Sequence, residues 1–187
     1  MSPSLQWLDT PQRYGVVSRW LHWLMAAAFA WQFTSAVLHW LDRETAVAKF
    51  FWSTHGSLGL ALMVLVMVRA AWGLANLRRR PGYACSLAGR AAAAGHLLLY
   101  ALMIAVPLLA LLRAYGRGRG FSAFGLPVFA PSGNEIPALI APGHALHGVL
   151  GWLLLALAAG HIAMVFVHRR LGGEDVLPRM TRARARA

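Results

Sequence analysis

Four stretches of the chain contain no Asp, Glu, Lys or Arg: Trp20 to Leu41, Phe50 to Val68, Ala91 to Leu112 and Ile136 to His168. Each meets or exceeds the roughly 18 apolar residues that a membrane-spanning helix requires. The pattern predicts spans at roughly 16–41, 50–76, 91–112 and 142–168, with an outer loop at 113–141 and a basic tail at 169–187. Gly116, Gly118, Gly120, Gly125, Pro127, Pro131 and Gly133 crowd the last long connection, so it reads as a loop rather than a fifth span. Trp20, Trp23, Trp40, Trp52 and Trp72 fall near the predicted helix ends, where an interfacial aromatic belt places them. The predicted fold class is all-α integral membrane protein, an antiparallel four-helix transmembrane bundle forming one domain over 1–187.

Charge adds orientation. Of 18 Lys and Arg, five lie in the two connections of one side: Arg43, Lys49, Arg113, Arg117 and Arg119. The other thirteen lie at or before the start of span 1, in or near the connection of spans 2 and 3, or after span 4, which places both termini in the cytoplasm by the positive-inside rule. The first apolar run is too long for the core of a cleavable signal peptide and is expected to stay as a span. Arg182, Arg184 and Arg186 in the tail are read as part of the same orienting signal; despite a net charge of +12, no nucleic-acid partner is expected. With 58% hydrophobic and 13% charged residues, against roughly 25% charged in soluble domains, the chain is not an ordinary water-soluble globule. Cys85 is the single cysteine, which excludes a disulfide framework, a four-thiolate iron–sulfur cluster and C-x-x-C-H haem attachment.

Candidate chemistry therefore falls to the eight histidines, because an ionisable side chain inside a bilayer is costly and usually faces a partner. Depth sorts them. His22 lies near the cytoplasmic end of span 1 and His161 in the inner half of span 4; His55 and His147 both lie toward the outside. His147 and His161 are 14 residues apart, so they share one helix face about 21 Å apart along the axis. Two stacked sites follow, His22 with His161 and His55 with His147, each with the trans geometry of bis-imidazole haem ligation. A porphyrin ring needs small residues one turn from each ligand. Gly59 follows His55, Gly143 and Gly151 flank His147, and Ser18 and Ala26 flank His22; His161 has Leu157 and Val165, with Ala158 and Gly160 nearby. Small-residue helix packing is the competing explanation of these positions.

Arg69, the charged residue within span 2, follows His55 by 14 residues on the same face and approaches the inner site. It is expected to pair with a haem propionate, with snorkelling to headgroups as the alternative. His168 stands seven residues beyond His161, positioned to hydrogen-bond a quinone carbonyl, or else to rest solvated at the inner surface. His39 and His144 lie near the outer surface, and His96, at the inner start of span 3, reads as a hydrogen-bonded helix-end residue. Arg113, Arg117 and Arg119 against Glu135 give the outer loop a positive charge suited to steering an anion.

Several motifs together resemble the bacterial cytochrome b561 family, from Tyr14 to Met180: Tyr14 with Ser18-Arg19-Trp20-Leu21-His22-Trp23; His55-Gly56 with Arg69; His96 with Tyr100; Phe124-Gly125-Leu126; and His147, thirteen residues, His161, then His168 and Asp175-Val176-Leu177-Pro178-Arg179-Met180. The resemblance implies a bacterial inner-membrane protein with two non-covalent haem b groups, the iron ligands being His22 with His161 and His55 with His147. The chain is similar to the superoxide-oxidising branch, which implies electron transfer from superoxide to ubiquinone. Where relatives often carry two consecutive histidines after span 4, this chain has His168-Arg169. The alternatives are a quinone-linked subunit or membrane anchor serving a partner redox protein, and a histidine-lined metal or solute transporter.

Overall fold

The computed structural model describes residues 6–170 and 177–181, without the side chain of His168. Four long helices, α1 (Val16–Leu41), α2 (Ala46–Ala75), α3 (Leu87–Gly116) and α4 (Pro137–Arg170), are joined by short turns and one β-hairpin, β1 (Phe121–Ala123) with β2 (Leu126–Phe129). A single turn, α5 (Leu177–Met180), follows. All four long helices are long and apolar enough to cross a membrane. Arg182, Arg184 and Arg186 of the basic tail lie outside the described residues.

The helices extend past the charge-free runs. α2 begins before Lys49, α3 takes in Arg90 and Arg113, and α4 starts at Pro137 rather than 142. A charge-free run measures the hydrocarbon layer, whereas the helix continues until its caps end it. Thr45 Oγ1 accepts from Ala48 N at 3.2 Å and Ser86 Oγ from Gly89 N at 3.1 Å, each satisfying an orphan donor of a first turn. Pro137 opens α4, where its missing N–H costs nothing.

Polarity is inverted relative to a soluble bundle. Leu97, Val64, Ile162 and Phe166 are exposed on the outside of the helices, while Ser18, Ser35 and Asn76 are buried. With hydrocarbon as solvent, apolar burial between helices gives little drive, and close packing with interhelical hydrogen bonds holds them instead. Trp72 Nε1 donates to Ser18 Oγ at 2.9 Å and Trp31 Nε1 to Thr54 Oγ1 at 2.9 Å, tying α1 to α2. Leu102, Val106 and Leu154 form the buried cluster between α3 and α4. The bundle is therefore built from two tight antiparallel pairs, α1 with α2 and α3 with α4, and the histidines lie where the pairs face each other.

The chain's two ends meet at one face. Tyr14 N donates to Arg179 O at 3.3 Å, Trp23 Nε1 to Met180 O at 3.0 Å and Arg19 Nη1 to Thr181 O at 3.3 Å. An even number of spans brings them there.

Candidate functional site

At the outer level, His55 from α2 faces His147 from α4 with ring centres 6.3 Å apart and planes at 80°. At the inner level, His22 from α1 faces His161 from α4 at 6.4 Å and 73°. Two imidazoles trans on one metal, each bonded at about 2.0 Å through a ring nitrogen, stand with their ring centres roughly 6 Å apart. Both pairs have this spacing, and each joins one helix hairpin to the other. Among the described residues, no group of three His, Cys, Asp or Glu gathers as a metal site.

The second ring nitrogens at the outer level fix the tautomers. Ser35 Oγ lies 2.6 Å from Gln32 O, an acceptor, and 2.6 Å from His55 Nδ1. The hydroxyl gives its hydrogen to the carbonyl and accepts from Nδ1–H, which leaves His55 Nε2 with a free lone pair. His147 Nδ1 donates to Val106 O at 2.9 Å, with the same result. Both outer histidines thus carry their hydrogen on Nδ1 and leave Nε2 as an acceptor, the tautomer a ligating histidine needs.

The inner level differs. Arg69 Nη1 lies 2.8 Å from His22 Nδ1; a guanidinium only donates, so here Nδ1 holds the lone pair. His96, expected to be a helix-end residue, does donate its Nδ1–H to Ala92 O at 2.7 Å, but its ring also stands edge-on to His161 at 5.1 Å. The Tyr83 ring also lies near His96, with ring centres 5.7 Å apart. A cavity of about 50 Å³ adjoins this group, lined among others by Tyr14, Arg69, Arg80, Tyr83, His96 and Tyr100. Burial holds the Tyr14 phenol above its ordinary range, so it stays protonated and able to donate.

The small residues divide between the two explanations. A side chain at Gly151 would meet nothing within 4 Å, which leaves room for a flat group one turn from His147. Gly143 does not clear such a space. A Cβ there would collide with the backbone carbonyl of Leu109 and come within 2.6 Å of Arg113 Cβ, so Gly143 is where α3 and α4 close upon each other. One turn deeper, the same approach brings Val106 O to His147. Ser18 likewise serves as acceptor for Trp72.

His39 stacks on Trp52 at 3.8 Å, and Trp52 in turn on His55 at 4.6 Å. His168 has its backbone in α4, and its side chain lies outside the described residues. The residues missed by sequence reasoning are Ser35 and Gln32, whose Nε2 donates to His55 O at 3.1 Å. Their signal was present as a short polar cluster, Gln32, Thr34 and Ser35, in the middle of an apolar run at the depth of His55.

A helical membrane bundle that holds two stacked bis-histidine sites is the architecture of a membrane cytochrome b. The sequence profile of prokaryotic cytochrome b561 matches residues 13–183, and the chain belongs to that family, membrane b-type cytochromes of electron transfer. It is 30% identical to cytochrome b561 homolog 2 of Escherichia coli strain K12 over 188 aligned positions, covering 94% of this chain and 95% of the relative. Cytochrome b561 homolog 1 of the same strain is 27% identical over 179 positions, covering 90% and 96%.

Proposed function

We propose that the chain holds two non-covalent haem b groups, on His22 with His161 and on His55 with His147, and carries electrons from superoxide to ubiquinone. The observation that supports this reading is the repeated ring-centre spacing, 6.4 and 6.3 Å, at two levels where one helix pair faces the other. Bound haem supplies a one-electron ferric–ferrous couple; the protein supplies position and electrostatics. Superoxide gives up one electron on the outer side and leaves as dioxygen, and two such electrons with two protons convert ubiquinone to ubiquinol.

The residues divide the work by level. Ser35 and Val106 hold the outer imidazoles in their ligating tautomer. At the inner level, ligation through His22 Nε2 needs the hydrogen on Nδ1, so Arg69 turns from the ring toward the cavity that it also lines. There Arg69 and Arg80 receive the propionates. Arg113, Arg117 and Arg119 draw the anion to the outer face, and His168 hydrogen-bonds the quinone. The positive-inside count supports an inner-membrane orientation with both termini on the cytoplasmic side.

The first test is the haem b to polypeptide ratio of detergent-purified protein, by pyridine haemochrome absorbance against amino-acid analysis. A ratio of about two is expected; about one removes a pair, and about zero from haem-replete cells favours the transporter. Superoxide added to the purified protein without a partner is expected to reduce the haems. Failure to do so leaves a quinone-linked subunit or anchor as the function.

A further inference from the structure

The β1–β2 hairpin hangs at a depth unusual for a surface loop. Phe124 N, at its tip, donates to Ser57 Oγ on α2 at 3.1 Å. Ser57 lies seven residues past Phe50, where the charge-free run of α2 begins, about 10 Å deeper along the helix. α3 and α4 give the same depth independently. Arg113 sits level with Gly143; His147 is one turn deeper, His55 is level with it, and Ser57 is two residues deeper again. The tip therefore descends to the level of the outer histidine pair. On the way, the Phe121 ring lies 3.3 Å from the position of a Cβ on Gly56, next to His55.

The turn itself is the second observation. Ala123 pairs with Leu126, and the two residues between them, Phe124 and Gly125, have φ of 52° and 80°. Two left-handed residues in a two-residue connection make a type I′ turn, whose first position favours Asn, Asp or Gly. A phenylalanine there is strained. In water the strain would have no compensation, since the side chain is 68% exposed and neighbouring Leu126 is 72% exposed. In hydrocarbon both side chains would gain apolar contact that offsets the backbone strain, while the ladder between β1 and β2 satisfies the facing strand groups and Ser57 the Phe124 N–H.

We propose that the hairpin is a re-entrant element whose tip, Phe124-Gly125-Leu126, is embedded in the acyl chains of the outer leaflet, anchoring β1 as a cover beside the outer histidine pair. Val128, 44% exposed on β2, continues the same lipid-facing surface. The claim holds whatever the donor and acceptor of electrons prove to be.

Spin labelling tests it in the haem-loaded full chain, reconstituted in phosphatidylethanolamine–phosphatidylglycerol vesicles. Cys85, which is exposed, is replaced by serine, and single labels are placed by Leu126→Cys, Val64→Cys on the outside of α2, and Glu135→Cys in the outer loop. Relaxation by oxygen, which partitions into lipid, and by a water-soluble nickel chelate reads each environment. The Leu126 label is expected to resemble Val64, oxygen-accessible and shielded from nickel. Nickel access equal to that at Glu135 overturns the proposal, and so does exclusion of both reagents, which would mean a protein partner covers the tip. Phe124→Asn supplies an unlabelled test by sign. If the tip were in water, relief of the left-handed strain would raise the thermal midpoint in vesicles; embedded in lipid, the lost apolar contact is expected to lower it.

Discussion

Replacing Ser35 by alanine isolates the hydrogen bond that orients His55, one of the proposed haem ligands. The Ser35 side chain is fully buried, and its hydroxyl bridges Gln32 O and His55 Nδ1 at 2.6 Å each. Alanine fits the space but leaves the Nδ1–H without an acceptor inside a low-dielectric bundle, at a cost of about 1–3 kcal/mol. Loss of an outer-shell partner of metal-bound histidine lowers affinity by roughly 10–100-fold, which falls in the same range. The hydrogen bond also makes the imidazole a stronger donor and so favours ferric iron. If its strength differs about tenfold between the two oxidation states, the potential rises by about 59 mV when it is removed. The assay is a redox titration of the α-band in purified protein with its haem ratio measured alongside. Ser35→Ala is expected to raise the potential of one haem and make that haem the easier to lose, leaving the other, about 21 Å away along α4, unchanged. Equal shifts of both steps, or no change in either step or in the ratio, would refute the assignment of Ser35 to the outer ligand.

Arg69→Leu is expected to move the other step of the same titration, because Arg69 lines the cavity at the inner level, where it is proposed to receive a propionate; movement of the step that responds to Ser35→Ala sinks the two-level arrangement. Near-perpendicular imidazole planes, 73° and 80°, predict that both ferric haems give the large-g low-spin electron paramagnetic resonance signal, and an ordinary rhombic signal from both would contradict the ring geometry. Gly143→Leu forces α3 and α4 apart at the Leu109 carbonyl, with an overpacking cost of about 1–3 kcal/mol. Since Val106 O recedes with it, the variant is expected to weaken the same haem as Ser35→Ala, whereas Gly148→Ala, at a position with open space, leaves the haem ratio and thermal midpoint unchanged.

Span number and the helix carrying each histidine were legible because both follow from one-dimensional rules. Charge is excluded from hydrocarbon, and alternating spans turn sequence position into depth. Depth alone was enough to set His22 opposite His161 and His55 opposite His147, the juxtapositions found in the fold. What depth cannot supply is azimuth. Gly143 and Gly151 both lie one turn from His147, yet one meets the backbone of α3 and the other meets nothing. Only the direction of approach of a neighbouring helix separates them. The hairpin escaped for a related reason: Gly and Pro spacing marks where a span ends, but the descent of Phe124 to Ser57 depends on a hydrogen bond between residues 67 positions apart.

The division of small residues bears on how the bundle is held together. α3 and α4 are in backbone contact at Gly143 and bury an apolar cluster, and α1 and α2 are joined by indole hydrogen bonds. Each pair is tightly packed, and Phe29 and Phe33 of α1 also lie against the α3–α4 cluster. The ligand pairs, by contrast, link α1 to α4 and α2 to α4. Haem bound as proposed would add a link at each level between two helix pairs that already touch through α2 and α3 and through Phe29 and Phe33 of α1, so its binding free energy would tighten that junction. The site is consequently sensitive to residues such as Ser35 and Gly143 that touch neither iron nor substrate, since each sets the angle at which one half presents its histidine to the other.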